Sequence, residues 1–201
     1  MRIFINASSE QETEIRSKNV EKNIEISYSK HLPLLNEYTD FDIFFILDER
    51  IENVDFEKFE KKPVFVNLVS NTLSKLKLPG NVSRINAWNG FLQREIWEIV
   101  PPDNIDAKKI FSEIGWQIII VKDEPGMVAA RVISMIINEA FYAFSEKVST
   151  KAEIDMAMKL GTNYPFGPFE WAEKIGIKKV FDLLKILSEK EKRYIPSFNV
   201  D

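Results

Sequence analysis

The sequence predicts an α/β domain followed by an all-α domain. Three observations carry this expectation. Short apolar runs recur through residues 1–122, separated by polar stretches that suit helices and linkers. The character of the chain changes at Asp123-Glu124-Pro125-Gly126. Beyond that point the hydrophobic period is helical to the end.

The first apolar run is Ile3–Ile5. A helix over 9–21 would carry only Ile15 and Val20 as large apolar residues, too few to cover a sheet. Residues 8–22 are therefore expected as a long hairpin or loop, not as a crossover helix. Ile24, Ile26 and Tyr28 alternate with polar residues, the pattern of a half-buried strand. Phe41–Leu47 has almost no polar face and reads as a central strand buried on both sides. A helix is expected over 52–60. Pro63–Val69, Val82–Trp88 and Trp116–Val121 supply three more strands. Before the last of them, a helix over 104–114 can be capped by Asp103 or Asn104. Strands separated by helices favour parallel pairing.

Met127–Phe144 is the most apolar segment of the chain, interrupted only by Arg131, Asn138 and Glu139. A helix apolar nearly all round is buried on more than one side, and one of those sides is expected to be a subunit interface. Thr150 and Glu153 are spaced as a capping box for the next helix. Its stripe is Ile154, Ala157, Met158 and Leu160, and Gly161 fits the left-handed position after its last turn. Tyr164-Pro165-Phe166-Gly167-Pro168-Phe169-Glu170 then makes a tight joint, with Pro168 suited to a first helical position. A final helix is expected over 177–189.

Composition bounds the chemistry. The 201 residues carry Lys+Arg 27 against Asp+Glu 31, a net charge of −4, so no basic excess suggests nucleic acid or an anionic membrane as partner. No cysteine is present, which removes disulfides, thiolate metal sites and cysteine nucleophiles. The single histidine, His31, has no recognisable partner and is read as a surface or structural residue. Any metal site would have to be carboxylate-rich, and no calcium-loop spacing occurs; no metal is expected. The opening apolar run is too short for a signal peptide, and no stretch approaches the roughly 20 residues of a spanning helix. A cytoplasmic location is the expectation.

The helical part resembles the C-terminal domain of the 3-hydroxyacyl-CoA dehydrogenases. The resemblance rests on Pro125-Gly126, Arg131 and Asn138-Glu139-Ala140. It continues through Ile154-Asp155, Met158-Lys159-Leu160-Gly161 and Tyr164 to Glu170. Fainter matches lie upstream in the right order. Ser70-Asn71-Thr72 is similar to the family's S-N-T-S turn, and Asn89 through Glu98, within the run NAWNGFLQREIWEI, to its H-F-F-N-P-x-P-x-x-x-x-V-E segment. The resemblance implies a Rossmann-like domain over 1–122 and a helical dimerisation domain over 123–201. It also implies hydride transfer between NAD and C3 of an acyl-CoA in fatty-acid chemistry.

The residues for that reaction are incomplete. Asn86 replaces the family's histidine, whereas Glu98 and Asn89 stand where the family has its orienting glutamate and asparagine. An amide does not titrate in the useful range, and losing a general base costs about 10²–10⁴ in rate. Leu73 takes the place of the turn's last serine, with Ser74 following, and Ala130 replaces the asparagine before Arg131. A dinucleotide fingerprint needs three glycines after the first strand. Asn6-Ala7-Ser8-Ser9-Glu10-Gln11 has none, and Glu10, Gln11, Glu12 and Glu14 crowd the place of phosphate charge. The favoured expectation is a shortened family member without NAD-dependent turnover. It would have no cofactor, would form a homodimer through the C-terminal helices, and would keep an acyl-CoA-type ligand or a protein partner. The alternatives are an active NAD-dependent enzyme with an atypical site, and a dimeric scaffold with no small ligand. Trp88, Phe91, Trp97 and Trp116 are expected in the core.

Overall fold

The computed structural model describes residues 1–34, 37–48 and 50–200. The chain divides into two compact units, Met1–Glu124 and Pro125–Asp201. The first contains, in order, β1 (Arg2–Asn6), α1 (Ser9–Arg16), β2 (Glu25–Ser29), β3 (Ile43–Ile46), β4 (Val64–Asn67), α2 (Leu73–Leu76), β5 (Val82–Ile85), β6 (Ile96–Val100), α3 (Ala107–Ile114) and β7 (Gln117–Ile120).

The strands form one sheet in the order β2-β1-β3-β4-β5-β6-β7. All neighbours are parallel except β5 and β6, which run antiparallel. This is a Rossmann-like sheet with a topological switch between β1 and β3, since β2 lies on one side of β1 and the remaining strands on the other. Two strands stand on the β2 side of that switch, one fewer than in the usual dinucleotide-binding order.

The continuous apolar run of β3 is explained by burial on both faces. Phe44 meets Phe4, Tyr38, Phe41 and Phe59 on one side. Phe45 meets Phe65, Trp97, Phe111 and Trp116 on the other. Trp88 and Phe91 are buried as well, so all four aromatics expected in the core lie there. Gly115 ends α3 in the left-handed conformation, with φ 87°.

Four expectations need correction in this unit. The helix expected over 104–114 starts at Ala107, and Asp106, not Asp103 or Asn104, caps it by accepting from the Lys109 N–H at 3.0 Å. A crossover helix, α1, does connect β1 to β2. It needs little apolar surface because it buries Gln11 and Glu14 beside Ile15, with both polar side chains hydrogen-bonded to backbone. The expected helix over 52–60 is replaced by two 3-10 turns, Ile51–Asn53 and Phe56–Phe59. Asp55 caps the second, Phe59 is buried, and Glu60 closes it with a positive φ of 51°. The strand β6 and its antiparallel pairing with β5 are not among the expected elements.

The second unit holds α4 (Ala129–Ser145), α5 (Lys151–Thr162), α6 (Pro168–Ile175) and α7 (Ile177–Ser188). Thr150 and Glu153 form the expected capping box on α5. Gly161 does not end that helix. The helix continues to Thr162, and Asn163 takes the left-handed position at φ 55°, ψ 30°. A terminal strap crosses α4, where Asn138 donates to the Ile195 carbonyl at 3.0 Å and accepts from the Ser197 N–H at 2.7 Å. Phe198 lies against Phe141 and Phe181. Among the described residues no helix is long and apolar enough to cross a membrane.

Candidate functional site

Ligands of open α/β sheets bind at the switch point, outside the carboxyl ends of the strands. In this chain the carboxyl ends of β1, β3 and β4 are joined by side-chain amides. Asn6 ends β1 and is fully buried. Its Oδ1 accepts from the Asp48 N–H at 3.2 Å, and its Nδ2 donates to the Lys30 carbonyl at 3.0 Å. Asn67 ends β4; it donates to the Leu47 carbonyl at 3.0 Å and accepts from the Ala87 N–H at 3.1 Å. Gln11 donates to the Leu47 carbonyl at 3.1 Å and the Ala87 carbonyl at 2.9 Å.

The spacing of these groups is informative. The first, third and sixth positions of a G-x-G-x-x-G fingerprint fall on Asn6, Ser8 and Gln11. Each position carries a side chain with an internal task. Asn6 ties three backbone segments. Ser8 caps α1 by accepting from the Gln11 N–H at 3.3 Å, and Gln11 accepts in return from the Ser8 N–H at 2.9 Å. The opening turn of α1 also holds Glu10 and Glu12, which suit the positive end of the helix and would repel a phosphate there.

From α1 the same polar face reaches the segment that carries the candidate residues. Glu14 is buried and accepts from the Gly90 N–H at 2.6 Å and the Leu92 N–H at 3.0 Å. Asn89 donates a short hydrogen bond to Glu10. Asn86 and Glu98 are brought together by the antiparallel pairing of β5 with β6. The register runs Arg84 to Val100 and Ile85 to Ile99, and the Asn86 N–H donates to the Glu98 carbonyl at 3.4 Å. Directly opposed residues project from one face of a sheet. Asn86 is buried, and its Oδ1 accepts from the Trp88 N–H at 3.5 Å. Its Nδ2 has no hydrogen-bond partner among the described residues. Asn86 and Glu98 thus share a face, whereas Asn89 is drawn away towards α1.

Arg84 was not singled out in the sequence, yet it organises this end of the unit. Its side chain is fully buried and ion-paired with Asp123. It also donates to the carbonyls of Leu68 at 2.8 Å, Val69 at 3.1 Å and Glu124 at 3.3 Å. Asp123 accepts in addition from the N–H groups of Leu73 at 3.1 Å and Ser74 at 3.2 Å. Burial alone would raise the Asp123 pKa. The hydrogen bonds from Arg84, Ser74 and Leu73 outweigh it and hold the carboxyl below its usual range. The Ser70-Asn71-Thr72 turn is therefore fixed at both ends. Thr72 caps α2 through the Lys75 N–H at 3.1 Å, and Ser74 is exposed. A charged residue inside a short, fully buried strand is the signal Arg84 offers. His31 is exposed, and no group of three or more potential metal ligands occurs among the described residues.

In the helical unit, the motif around Asp155 and Gly167 has a structural explanation. Pro168 starts α6 without an N–H to satisfy. The next two N–H groups, of Phe169 and Glu170, donate to the Asp155 carboxylate at 2.8 and 3.3 Å. A Cβ on Gly167 would lie 2.3 Å from Asp155 atoms, so only glycine fits. Glu170 accepts from the Gly167 N–H at 2.9 Å and pairs with Lys159.

Residues 126–199 match the family model of the 3-hydroxyacyl-CoA dehydrogenase C-terminal domain. The helical unit thus carries the C-terminal domain of the 3-hydroxyacyl-CoA dehydrogenases, and the chain is similar to curated members of that family. It is 39% identical over 101 residues to the 3-hydroxyadipyl-CoA dehydrogenase of Escherichia coli K12, covering 48% of this chain and 21% of that protein. It is 28% identical over 153 residues to the 3-hydroxybutyryl-CoA dehydrogenase of Clostridioides difficile, covering 73% of this chain and 53% of that protein. The chain thus spans between a fifth and about half of these relatives. The crystal structure of the (S)-3-hydroxybutyryl-CoA dehydrogenase from Ralstonia eutropha shares the fold. Its TM-score is 0.65 at 23% identity, covering 87% of this chain and 67% of that one.

The resemblance implies a histidine paired with a glutamate as proton carrier at the position of Asn86. Here Asn86 can donate or accept a hydrogen bond but cannot exchange a proton near neutral pH. The carboxylates Glu10 and Glu14 are engaged with Asn89, Gly90 and Leu92.

Proposed function

We propose that this 3-hydroxyacyl-CoA dehydrogenase-like protein has no NAD-dependent turnover and binds an acyl-CoA-type ligand without reducing it. One observation carries the reading: all three fingerprint positions bear side chains committed to internal hydrogen bonds, at Asn6, Ser8 and Gln11. A pyrophosphate needs close backbone approach at those positions, and these residues do not fit it. Asn86 supports the same conclusion from the side of proton transfer. An acyl-CoA-type ligand is supported by the relatives, which act on 3-hydroxyacyl-CoA esters, and by the buried Asn86 Nδ2, which has no partner among the described residues and suits a carbonyl oxygen.

The test is the melting temperature of the purified protein with NADH, with acetoacetyl-CoA, and with neither. A ligand at about 100 times its dissociation constant adds ~2.7 kcal/mol, or roughly 5–10 °C for a domain of this size. The expected result is a shift with the CoA ester and none with NADH. Oxidation of NADH in the presence of acetoacetyl-CoA would overturn the proposal. The Asn86→His variant should also fail to oxidise NADH, because it restores the base without clearing the nucleotide side.

The partner is a second copy of the chain, joined through the helical unit. Exposed apolar side chains support this: Met156 and Leu160 stand one turn apart on α5, at 59% and 82% exposure, and Val132 and Tyr142 lie on α4. A monomer in light scattering at micromolar concentration would contradict it.

A further inference from the structure

The polar face of α1 has a second consequence, reached by following its hydrogen bonds beyond the switch point. Gln11, Glu14 and Glu10 are spaced on one side of the helix, and each is bonded to the Ala87–Leu92 segment. Gln11 holds the Ala87 carbonyl at 2.9 Å, Glu14 holds the Gly90 and Leu92 N–H groups at 2.6 and 3.0 Å, and Glu10 holds Asn89. Asn67 adds the Ala87 N–H at 3.1 Å. Within the segment the Phe91 N–H donates to the Trp88 carbonyl at 3.0 Å, and Gly90 has φ 93°. The Gly90 and Leu92 N–H groups are instead held by a side chain from a helix some 76 residues away in sequence.

We infer that Gln11 and Glu14 are positioning residues. They form an intramolecular bracket that sets the geometry of the loop following Asn86. The inference deepens the proposed loss of nucleotide binding and rests on it in one respect. The helix whose N-terminal turn would face a pyrophosphate has its side chains assigned to holding this loop instead. The bracket makes the loop's conformation independent of any bound nucleotide. Glu14 is the stronger of the two, because a buried carboxylate accepting two N–H groups is a charge-assisted pair of bonds.

The experiment is amide hydrogen exchange on the full chain without ligand, comparing wild type with Glu14→Gln and Gln11→Ala. An amide in place of the Glu14 carboxylate keeps the size but leaves one fewer acceptor for two donors. The Gly90 and Leu92 amides should exchange about 10- to 100-fold faster in Glu14→Gln. Amides of β3 and of α4 should keep their wild-type rates. Equal acceleration across the α/β unit would overturn the inference, because it would mean a general loss of stability. Unchanged rates at Gly90 and Leu92 would overturn it too. Gln11→Ala, which removes the bond to the Ala87 carbonyl without touching the carboxylate, provides a second check if Glu14→Gln folds poorly. It should loosen the same loop by a smaller factor. Exposure of wild type to NADH separates this from the proposed function. Binding of NADH with wild-type protection at Gly90 and Leu92 would sink the proposed function and leave the bracket standing.

Discussion

Two loops in this molecule meet a helix N-terminus, and they treat glycine in opposite ways. At the start of α6, Gly167 is retained because the Asp155 carboxylate fills the space a Cβ would take. At the start of α1, the three positions where a dinucleotide fold needs glycine carry Asn6, Ser8 and Gln11. The difference lies in what approaches the backbone. In the helical unit the approaching group belongs to the chain, so folding itself demands the glycine. In the α/β unit it would be an external phosphate. There the Asn6 and Gln11 amides and the Ser8 hydroxyl satisfy the neighbouring backbone directly. Glycine is accordingly present where the chain's own carboxylate demands it, and absent from the three positions at the start of α1.

The demand for glycine is strongest at Gly167. Gly167→Ala places a methyl group 2.3 Å from Asp155 atoms and must displace the carboxylate that caps α6. The expected loss is about 3 kcal/mol or more, from combined overpacking and lost capping, measured by urea unfolding. Reintroducing glycine at Ser8 should by contrast cost only a few tenths of a kcal/mol, because glycine is a tolerable N-cap. Equal losses at the two positions would contradict the distinction drawn above.

A second test sits at the end of the α/β unit. Arg84→Met removes one partner of a buried ion pair, which costs about 3–5 kcal/mol when the other charge is left behind. Asp123 is partly exposed and keeps its two N–H donors, so the lower end of that range is expected. Because the folded-state pKa of Asp123 is depressed, its contribution is complete above the unfolded carboxyl value near ~3.9. It is lost as pH falls through the lower folded value. In Asp123→Asn that part of the acid sensitivity should vanish, which a series of melts from neutral to acidic pH would reveal.

How much of this was legible in the sequence follows the same division. Elements held by apolar contact or by short-range capping were readable: the β3 run, the Thr150–Glu153 box and the Pro168 start of α6 all stand where periodicity and capping rules put them. Elements held by buried polar contact were not. The helix α1 looked too polar to cover a sheet, because counting apolar residues misses a helix anchored by Gln11 and Glu14. Arg84 was overlooked because its partner lies 39 residues away. At the candidate site, the residue types at 86, 89 and 98 were legible, but their arrangement was not. The antiparallel β6 decides that Asn86 faces Glu98, and α1 decides that Asn89 does not join them.

The smallest effect sharpens the comparison from the helical side, where the capping of α5 is local and exposed. Thr150→Ala removes the acceptor for the Glu153 N–H at 3.3 Å, and an N-cap of this kind contributes about 1 kcal/mol. Glu153 answers from the other direction. Hydrogen bonds from Ser149 and from the Thr150 hydroxyl and N–H bring its carboxyl down to about 2. Its contribution is present above the unfolded carboxyl value near ~4.3 and is lost only as pH falls towards about 2. A carboxyl-carbon NMR titration should therefore find Glu153 still ionised at pH 3.5 in the wild type. In Thr150→Ala, which removes the hydroxyl's bond to the carboxylate and keeps the N–H, its midpoint should move part of the way back towards ordinary values. A midpoint that stays put would mean that Ser149 and the Thr150 N–H hold the carboxylate alone, and that the box matters less to this helix than the Asp155 joint that follows it.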